Sequence, residues 1–290
     1  MSEKARGTLY VCPTPIGNLG DITLRALACL RDVQLILAED TRHTKKILEH
    51  YDLHTPLLSY HKYNRAAREH EIIRRLQQGE DVALVSNAGA PAVSDPGAEL
   101  VRSARENNIT VVPLPGASAV LTAFIAAGMP GDRFVFWGFL DRRPAQREKE
   151  LKLVAREEKP SIIFEAPHRL QQLLEELCRH LGEERQVVIA RELTKKYEEI
   201  KSAPLKEHLR YYQEHEPKGE LTLVVSGAVI EREQLAQQEV VKKVAALVEA
   251  GLSDKAAEKA LSVLENCSRR EIYNLWMGEK TECIKRNLNY

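Results

Sequence analysis

The chain is short of nearly every feature that marks a common function at sight. Only five cysteines occur in 290 residues (Cys12, Cys29, Cys178, Cys267 and Cys283), odd in number and far apart. With no CxxC pair they support neither a disulfide framework nor a zinc site, and the expectation is a reducing cytoplasm and no metal. No run of about 18 apolar residues exists, and Met1 to Gly7 lacks the apolar stretch of a secretory leader. Membrane spanning and export are therefore not expected. An excess of one charge is missing too, since 42 acidic residues balance 42 basic ones. Any attraction to nucleic acid has to come from local patches. No GxGxxG follows an apolar run, and GxxxxGK[ST], HExxH and GxSxG are absent, which removes the common dinucleotide, P-loop, zinc-hydrolase and nucleophile-elbow readings.

What remains is ordinary core material in a particular order. The hydrophobic fraction is 43%, and the length suggests roughly two domains. From Thr8 onward, short apolar runs alternate with helical periodicity. Strands are predicted at Thr8–Val11, Val33–Leu37, Val82–Val85 and Thr110–Val112. Between them come a helix capped by Asp21 and helices over His43–His50, Ala66–Gln78 and Gly97–Glu106. This succession implies a largely parallel sheet. The small apolar segment Ala119–Ala127 reads as a helix buried between domains, broken by Gly128-Met129-Pro130-Gly131. Strands at Phe134–Trp137, Ser161–Phe164, Val187–Ala190 and Leu221–Val225, with helices at Ala145–Arg156 and His168–Leu181, predict a second, more mixed α/β domain. The tail reads as three helices: Gln234–Glu249, one capped by Ser253, and one opened by a Ser268–Glu271 capping box. The expected domains are 1–116, 117–230 and a helical extension over 231–290. That extension is open to two readings, a helix-turn-helix-like nucleic-acid contact or a cover for the core.

Four loops stand out, each after its own apolar run: Pro13–Asn18, Ser86–Gly97, Pro113–Ser118 and Glu165–Arg169. Small residues, prolines and glycines make such loops rigid and let backbone touch a ligand. At the ends of parallel strands they would converge on one crevice, where open α/β sheets place ligands. Charged clusters follow the same pattern at Glu39–Lys46, Arg191–Lys196 and Lys218–Glu220.

The segments Pro13–Leu19, Ala38–Thr44, Ala190–Lys195 and Lys218–Glu220 resemble the ribosomal RNA methyltransferases of the tetrapyrrole (corrin/porphyrin) methylase superfamily. The resemblance runs from about Thr8 to Gly227 and extends to the helical tail. It implies an α/β fold of two tetrapyrrole-methylase-type domains with a ligand crevice between them and a C-terminal three-helix extension. It also implies S-adenosyl-L-methionine as cofactor, a homodimer, and methylation of a cytidine ribose 2′-hydroxyl in 16S rRNA of the small ribosomal subunit. Two departures are visible. Asn87 and Ala90 stand in a loop that reads Ser-Asp-Ala-Gly-Thr-Pro in the family, and Phe164 and Ala166 stand where it has Tyr and Ser. Asn87 keeps hydrogen-bonding capacity but is no base.

On this basis the cofactor is expected at Pro15, Asn87, Ala88, Gly89, Ala90, Gly116, Ala117, Ser118, Glu192, Gly219, Glu220 and Leu221. A ribose hydroxyl needs a base or a group that stabilises alkoxide. Glu165, His43 and Glu39 are the catalytic candidates, with Asp40, His168 and Glu192 as further ionisable groups nearby. Arg42 and Arg169 are expected to hold phosphate. His61, Lys62, Tyr63 and Arg65 form the patch suited to RNA, because basic groups are interleaved there with an aromatic. The run Arg142, Arg143, Arg147, Lys149 and Lys152 is balanced by Glu148 and Glu150 and reads as a solvated face. Two other functions stay open: the same fold acting on a tetrapyrrole or other small molecule, and a non-catalytic ribosome-assembly factor.

Overall fold

The computed structural model describes residues 6–95, 97–228, 232–264 and 268–277; the expectations for Met1–Ala5, Pro96, Cys267 and Cys283 lie outside them. Two compact units divide the chain, one up to Ala228 and one from Val229 on.

The first unit contains two sheets. Strands β1 (Thr8–Val11), β2 (Leu35–Ala38), β3 (Leu57–Ser59), β4 (Val82–Val85) and β5 (Thr110–Pro113) form one of them, in the order β3-β2-β4-β1-β5. Every pairing in it is parallel. Each residue of β2 and β4 is buried, as strands covered on both faces must be. Helices α3 (Arg65–Gln77) and α4 (Ala98–Glu106) pack Ile72, Leu76 and Leu100 against Leu9, Leu37 and Leu84 on one face. Helices α1 (Leu24–Asp32) and α2 (Thr41–His50) pack Leu30 and Leu48 against Ile36, Ala83 and Val85 on the other.

Two local readings change. Thr23, not Asp21, caps α1, its hydroxyl accepting from the Ala26 amide at 3.1 Å. Asn18 first closes a tight 3-10 turn, Leu19–Asp21, which uses up the Asp21 position. Strand β3 was not anticipated, because three half-buried residues are too few to display a period.

Helix α5 (Ala119–Ala127) leads into the second sheet, whose order is β6-β7-β10-β8-β9. Its strands are β6 (Val135–Phe139), β7 (Ser161–Glu165), β8 (Gln186–Arg191), β9 (Glu199–Pro204) and β10 (Leu221–Val225). Only β6 and β7 are parallel; the other pairings are antiparallel. Helices α6 (Pro144–Arg156), α7 (Pro167–Leu181) and α8 (Leu205–Glu214) cover one face through Leu151, Leu170, Leu173, Leu177 and Leu205. Helix α5 covers the other with Val120 and Ala123. It is not buried all round: Leu121 and Ile125 are 52% and 78% exposed. An entirely apolar helix has no polar stripe from which to read its outer side. Strand β9 and helix α8 were also missed, since charged Glu199 and Lys201 disguise an edge strand.

Topology brings the polar ends together. In the first sheet the chain leaves β2 toward the β3 edge and leaves β4 toward β5, although β2 and β4 are neighbours. The crevice at such a switch point is where ligands bind in this architecture. In the second sheet, antiparallel β10 begins where β7 and β8 end, with Leu221 opposite both Glu165 and Arg191.

The unit from Val229 on contains α9 (Arg232–Glu249), α10 (Asp254–Leu264) and a helical stretch over 269–277. Val244, Ala257, Leu261, Ile272 and Trp276 make its core. Among the described residues no helix is long and apolar enough to cross a membrane.

Leu223 is fully buried in the centre of the second sheet. Leu223→Ala should cost about 2–5 kcal/mol of unfolding free energy in urea titrations. A loss below about 1 kcal/mol would show that β10 does not carry this core.

Candidate active site

The site is built from loops pinned by short-range bonds. Thr14 pairs with Gly89 through both backbone amides, and its hydroxyl donates to the Ser86 carbonyl at 3.0 Å. The Ser86 hydroxyl donates to the Gly89 carbonyl at 2.9 Å. These bonds lock the loops after β1 and β4 to each other. Gly89 has φ +77°, and an added Cβ would lie 3.3 Å from the Ile16 side chain. Further along, Ala92 and Ser94 also take positive φ, at 68° and 61°. Non-glycine residues adopt that conformation only where the surroundings enforce it.

Two cavities open beside these loops. The first, about 400 Å³, lies between the two sheets. Backbone of Ala88, Gly89 and Ala90 lines it from the first sheet, with Ser118 at the start of α5; Ala166 and Gly219, Glu220 and Leu221 line it from the second. Ile16, Val93, Phe139 and Phe164 make its apolar wall. Phe139 is 54% exposed and meets the Phe164 ring edge-on at 5.6 Å. The second cavity, about 860 Å³, lies over the ends of β2 and β4 and the start of α3, and His61, Lys62, Tyr63 and Arg65 line it. Glu39, Asn87, Ser94 and Asp95 line both.

Asn87 organises this shared wall. Its carbonyl oxygen accepts from the Asp40 amide at 3.2 Å and its amide donates to Glu39 at 3.0 Å. Asp40 caps α2, and the Arg42 guanidinium, hydrogen-bonded to it at 2.9 Å, holds its carboxyl down at about 2. Asp95 behaves in the opposite way: burial, then the nearby Glu39 charge, push its carboxyl up to about 6.

Several expected site residues have other work. The Glu165 side chain is fully buried, 3.4 Å from Arg169 Nε and 3.5 Å from Arg147 Nη2, and it accepts from the Ala166 amide at 2.9 Å. A guanidinium lies beside each of its oxygens, although Oε2 has no hydrogen-bond partner among the described residues, and the ion pairs fasten the loop at the cavity wall. Arg169 is consumed by that pair and by the Leu140 carbonyl, so it is not available to a phosphate. Arg147 is likewise buried, at 2.7 Å from Glu176, and lies on no solvated face. His43 sits on the exposed side of α2 and lines neither cavity. His168 is exposed in the first turn of α7.

Glu192 stands behind the cavity, accepting from the Glu220 amide at 2.9 Å and from Lys195 at 2.7 Å. It shapes the Gly219–Glu220 turn, where φ at Gly219 is +84° and a Cβ would fall 2.4 Å from Glu192. Pro15 is buried and lines neither cavity. Gly116 packs on Pro13, where a Cβ would lie 2.7 Å away, and Ala117 belongs to the apolar cluster beneath α5. Arg42 is 88% exposed at the rim of the larger cavity. Arg65 is paired with Glu99 at 2.6 Å. Lys62 lies 4.8 Å from the centre of the Tyr63 ring, and Tyr63 is 85% exposed.

Sequence reasoning missed Asp95, Ser94, Val93 and Phe139. The first three lie inside the loop already singled out, where their strand-end position was the available signal. Phe139 carried none, because it passes for an ordinary strand residue.

Comparison with known proteins follows the same lines. The family description "Tetrapyrrole (Corrin/Porphyrin) Methylases" matches residues 8–208. Ribosomal RNA small subunit methyltransferase I of Synechocystis sp. is 45% identical over 93% of this chain and 97% of that protein. The protein of the same name from Bacillus subtilis is 43% identical over 93% of this chain and 94% of that one. Among solved structures, the methyltransferase CobJ superposes with a TM-score of 0.60 at 22% identity, over 77% of this chain and 95% of that one. Uroporphyrin-III C-methyltransferase of Thermus thermophilus, solved with S-adenosyl homocysteine, gives 0.55 at 19% identity, over 75% of this chain and 97% of that one.

Replacing Glu165 with Gln leaves Arg169 without its carboxylate and Arg147 with Glu176 as its charged partner in a dry site. The variant should lose on the order of 3–5 kcal/mol of stability, measured by chemical denaturation. A stability equal to the parent's would mean the buried ion pairs do not hold this loop.

Proposed function

Because this chain belongs to the tetrapyrrole (corrin/porphyrin) methylase family, we propose that it is an S-adenosyl-L-methionine-dependent methyltransferase whose acceptor is a cytidine ribose 2′-hydroxyl in 16S rRNA. The observation that carries the reading is the wall of Glu39, Asn87, Ser94 and Asp95 between two adjoining cavities. The two cavities adjoin along these residues, so a donor in one and an acceptor in the other can approach to the roughly 3–3.5 Å that an in-line displacement needs.

The smaller cavity suits the cofactor. Its volume of about 400 Å³ falls in the range of roughly 300–1,000 Å³ for small-molecule sites. The small residues Ala88, Gly89, Ala90 and Gly219 let an adenosyl group approach the main chain, and Phe139, Phe164 and Ile16 supply apolar walls. Positive φ, with Ile16 and Glu192 where a Cβ would point, holds positions 89 and 219 to glycine. When bound, S-adenosyl-L-methionine supplies a methyl group on a sulfonium. The protein's share of the chemistry is to position, to exclude water and to accept a proton.

The larger cavity suits a nucleotide in an RNA strand. It is open and polar, and its outer edge carries Lys62, Arg42 and the exposed Tyr63 ring. Cations at the rim serve phosphates, and an exposed ring serves an unstacked base. The names of the two relatives support RNA over a tetrapyrrole as acceptor. On this reading the partners are the small ribosomal subunit and a second copy of the chain, in the cytoplasm.

The test is methyl transfer from labelled S-adenosyl-L-methionine to small subunits lacking native methylation, followed by nucleoside analysis. Label in 2′-O-methylcytidine is expected; cofactor binding without that product would redirect the reading to another acceptor. Separately, Tyr63→Ala should weaken subunit binding by about 5- to 150-fold, the equivalent of one lost stacking contact of roughly 1–3 kcal/mol, and leave cofactor affinity alone. Unchanged subunit binding would remove Tyr63 from the interface.

A further inference from the structure

Six carboxylates line the two cavities: Glu39, Asp40, Asp95, Glu99, Glu165 and Glu220. Four of them have cationic partners. Asp40 holds Arg42 at 2.9 Å, Glu99 holds Arg65 at 2.6 Å, Glu165 holds Arg147 and Arg169, and Glu220 holds Lys195 at 3.2 Å. A carboxylate committed to a cation gains little by taking up a proton. Glu39 has no cation, but its Oε2 accepts from the Asn87 amide at 3.0 Å, a bond that fixes its direction. Among the described residues Asp95 alone of the six has neither an ion pair nor a hydrogen bond.

Its placement is equally specific. Asp95 lies on the wall common to both cavities, at the end of a segment in which Ala92 and Ser94 hold positive φ.

Resting on the function proposed above, we infer that Asp95 is the catalytic base that takes the proton from the acceptor hydroxyl. The ribose 2′-oxygen forms its bond to the methyl carbon as the carbon–sulfur bond breaks, with that electron pair going to sulfur. The hydroxyl proton passes to the Asp95 carboxylate and from there to water. No further reactant is needed.

A carboxyl raised to about 6 is still ionised near pH 7, yet accepts a proton more readily than an ordinary aspartate. The other groups facing it are Glu39, the Asp40–Arg42 and Arg65–Glu99 pairs, His61 and Lys62 on the acceptor side, and paired Glu165 and Glu220 on the cofactor side. Of these, the uncompensated Glu39 is the one that adds to the rise.

The experiment compares wild type, Asp95→Asn and Glu39→Gln, using S-adenosyl-L-methionine, undermethylated small subunits and calorimetric cofactor binding. Asp95→Asn should lower turnover at least about 100-fold while keeping cofactor affinity within about threefold, and Glu39→Gln should lose less. In wild type, turnover should climb with pH and level off above about 6; in Asp95→Asn that limb should vanish. Turnover of Asp95→Asn within about fivefold of an active wild type overturns the assignment and leaves the methyltransferase reading intact. A wild type that binds cofactor but forms no 2′-O-methylcytidine overturns the acceptor reading instead. Carboxyl-carbon magnetic resonance of the wild-type protein gives a readout independent of turnover and of variant folding. The Asp95 signal, assigned by through-bond connectivity in the wild-type protein, should titrate near 6, and an ordinary aspartate midpoint would contradict the proposal.

Discussion

Two strand ends have to be satisfied by one side chain at the centre of this molecule. Where β2 and β4 finish side by side, the Asp40 amide needs an acceptor and the Glu39 carboxylate needs a donor. Asn87 supplies both, at 3.2 Å and 3.0 Å. An amide side chain presents an acceptor and a donor from one planar group without any change of protonation. An aspartate at this position, as in the family motif, could still accept from Asp40, but would set two carboxylates against each other unless one were protonated. The amide therefore anchors Glu39, with Asp95 as the remaining free acid on the wall.

The second lobe reaches the same place by a different device. Its sheet buries a carboxylate, Glu165, between Arg147 and Arg169, and Arg147 is tied onward to Glu176 on α7. Such a network is costly to desolvate and adds little net stability. Its effect is positional: through the Ala166 amide it fixes the turn into α7 where that turn forms a cavity wall. The Glu192–Lys195–Glu220 cluster does the same for the turn into β10. Both lobes thus present rigid backbone, with small residues at Gly89 and Gly219 where a Cβ would intrude.

Much of this could be read from the residues. Parallel βαβ order, the mixed second sheet and the convergence of four loops followed from apolar runs ended by proline and glycine. The cavity-lining stretches at 87–90 and 219–221 were visible for the same reason. The failures share a cause, which is that charge type does not report burial. Glu165 was expected as a base and Arg169 as a phosphate ligand because carboxylates and guanidiniums at a strand end usually face solvent or substrate, yet here they are paired and largely buried. His43 lies on α2, but a helix has two sides and the spacing does not say which one faces the site. Asp95 was overlooked because its distinction is a missing partner, and that is a property of three-dimensional neighbours.

The central claim is that donor and acceptor meet across the Asn87–Asp95 wall. A crystal structure with S-adenosylhomocysteine and a cytidine-containing oligonucleotide tests it most directly. The account places the thioether in the cavity of about 400 Å³ and the ribose 2′-hydroxyl in the one of about 860 Å³, with Asp95 in hydrogen-bond reach of that hydroxyl. A nucleotide seated away from this wall, or a cofactor product lying among Lys62, Tyr63 and Arg65, would contradict it.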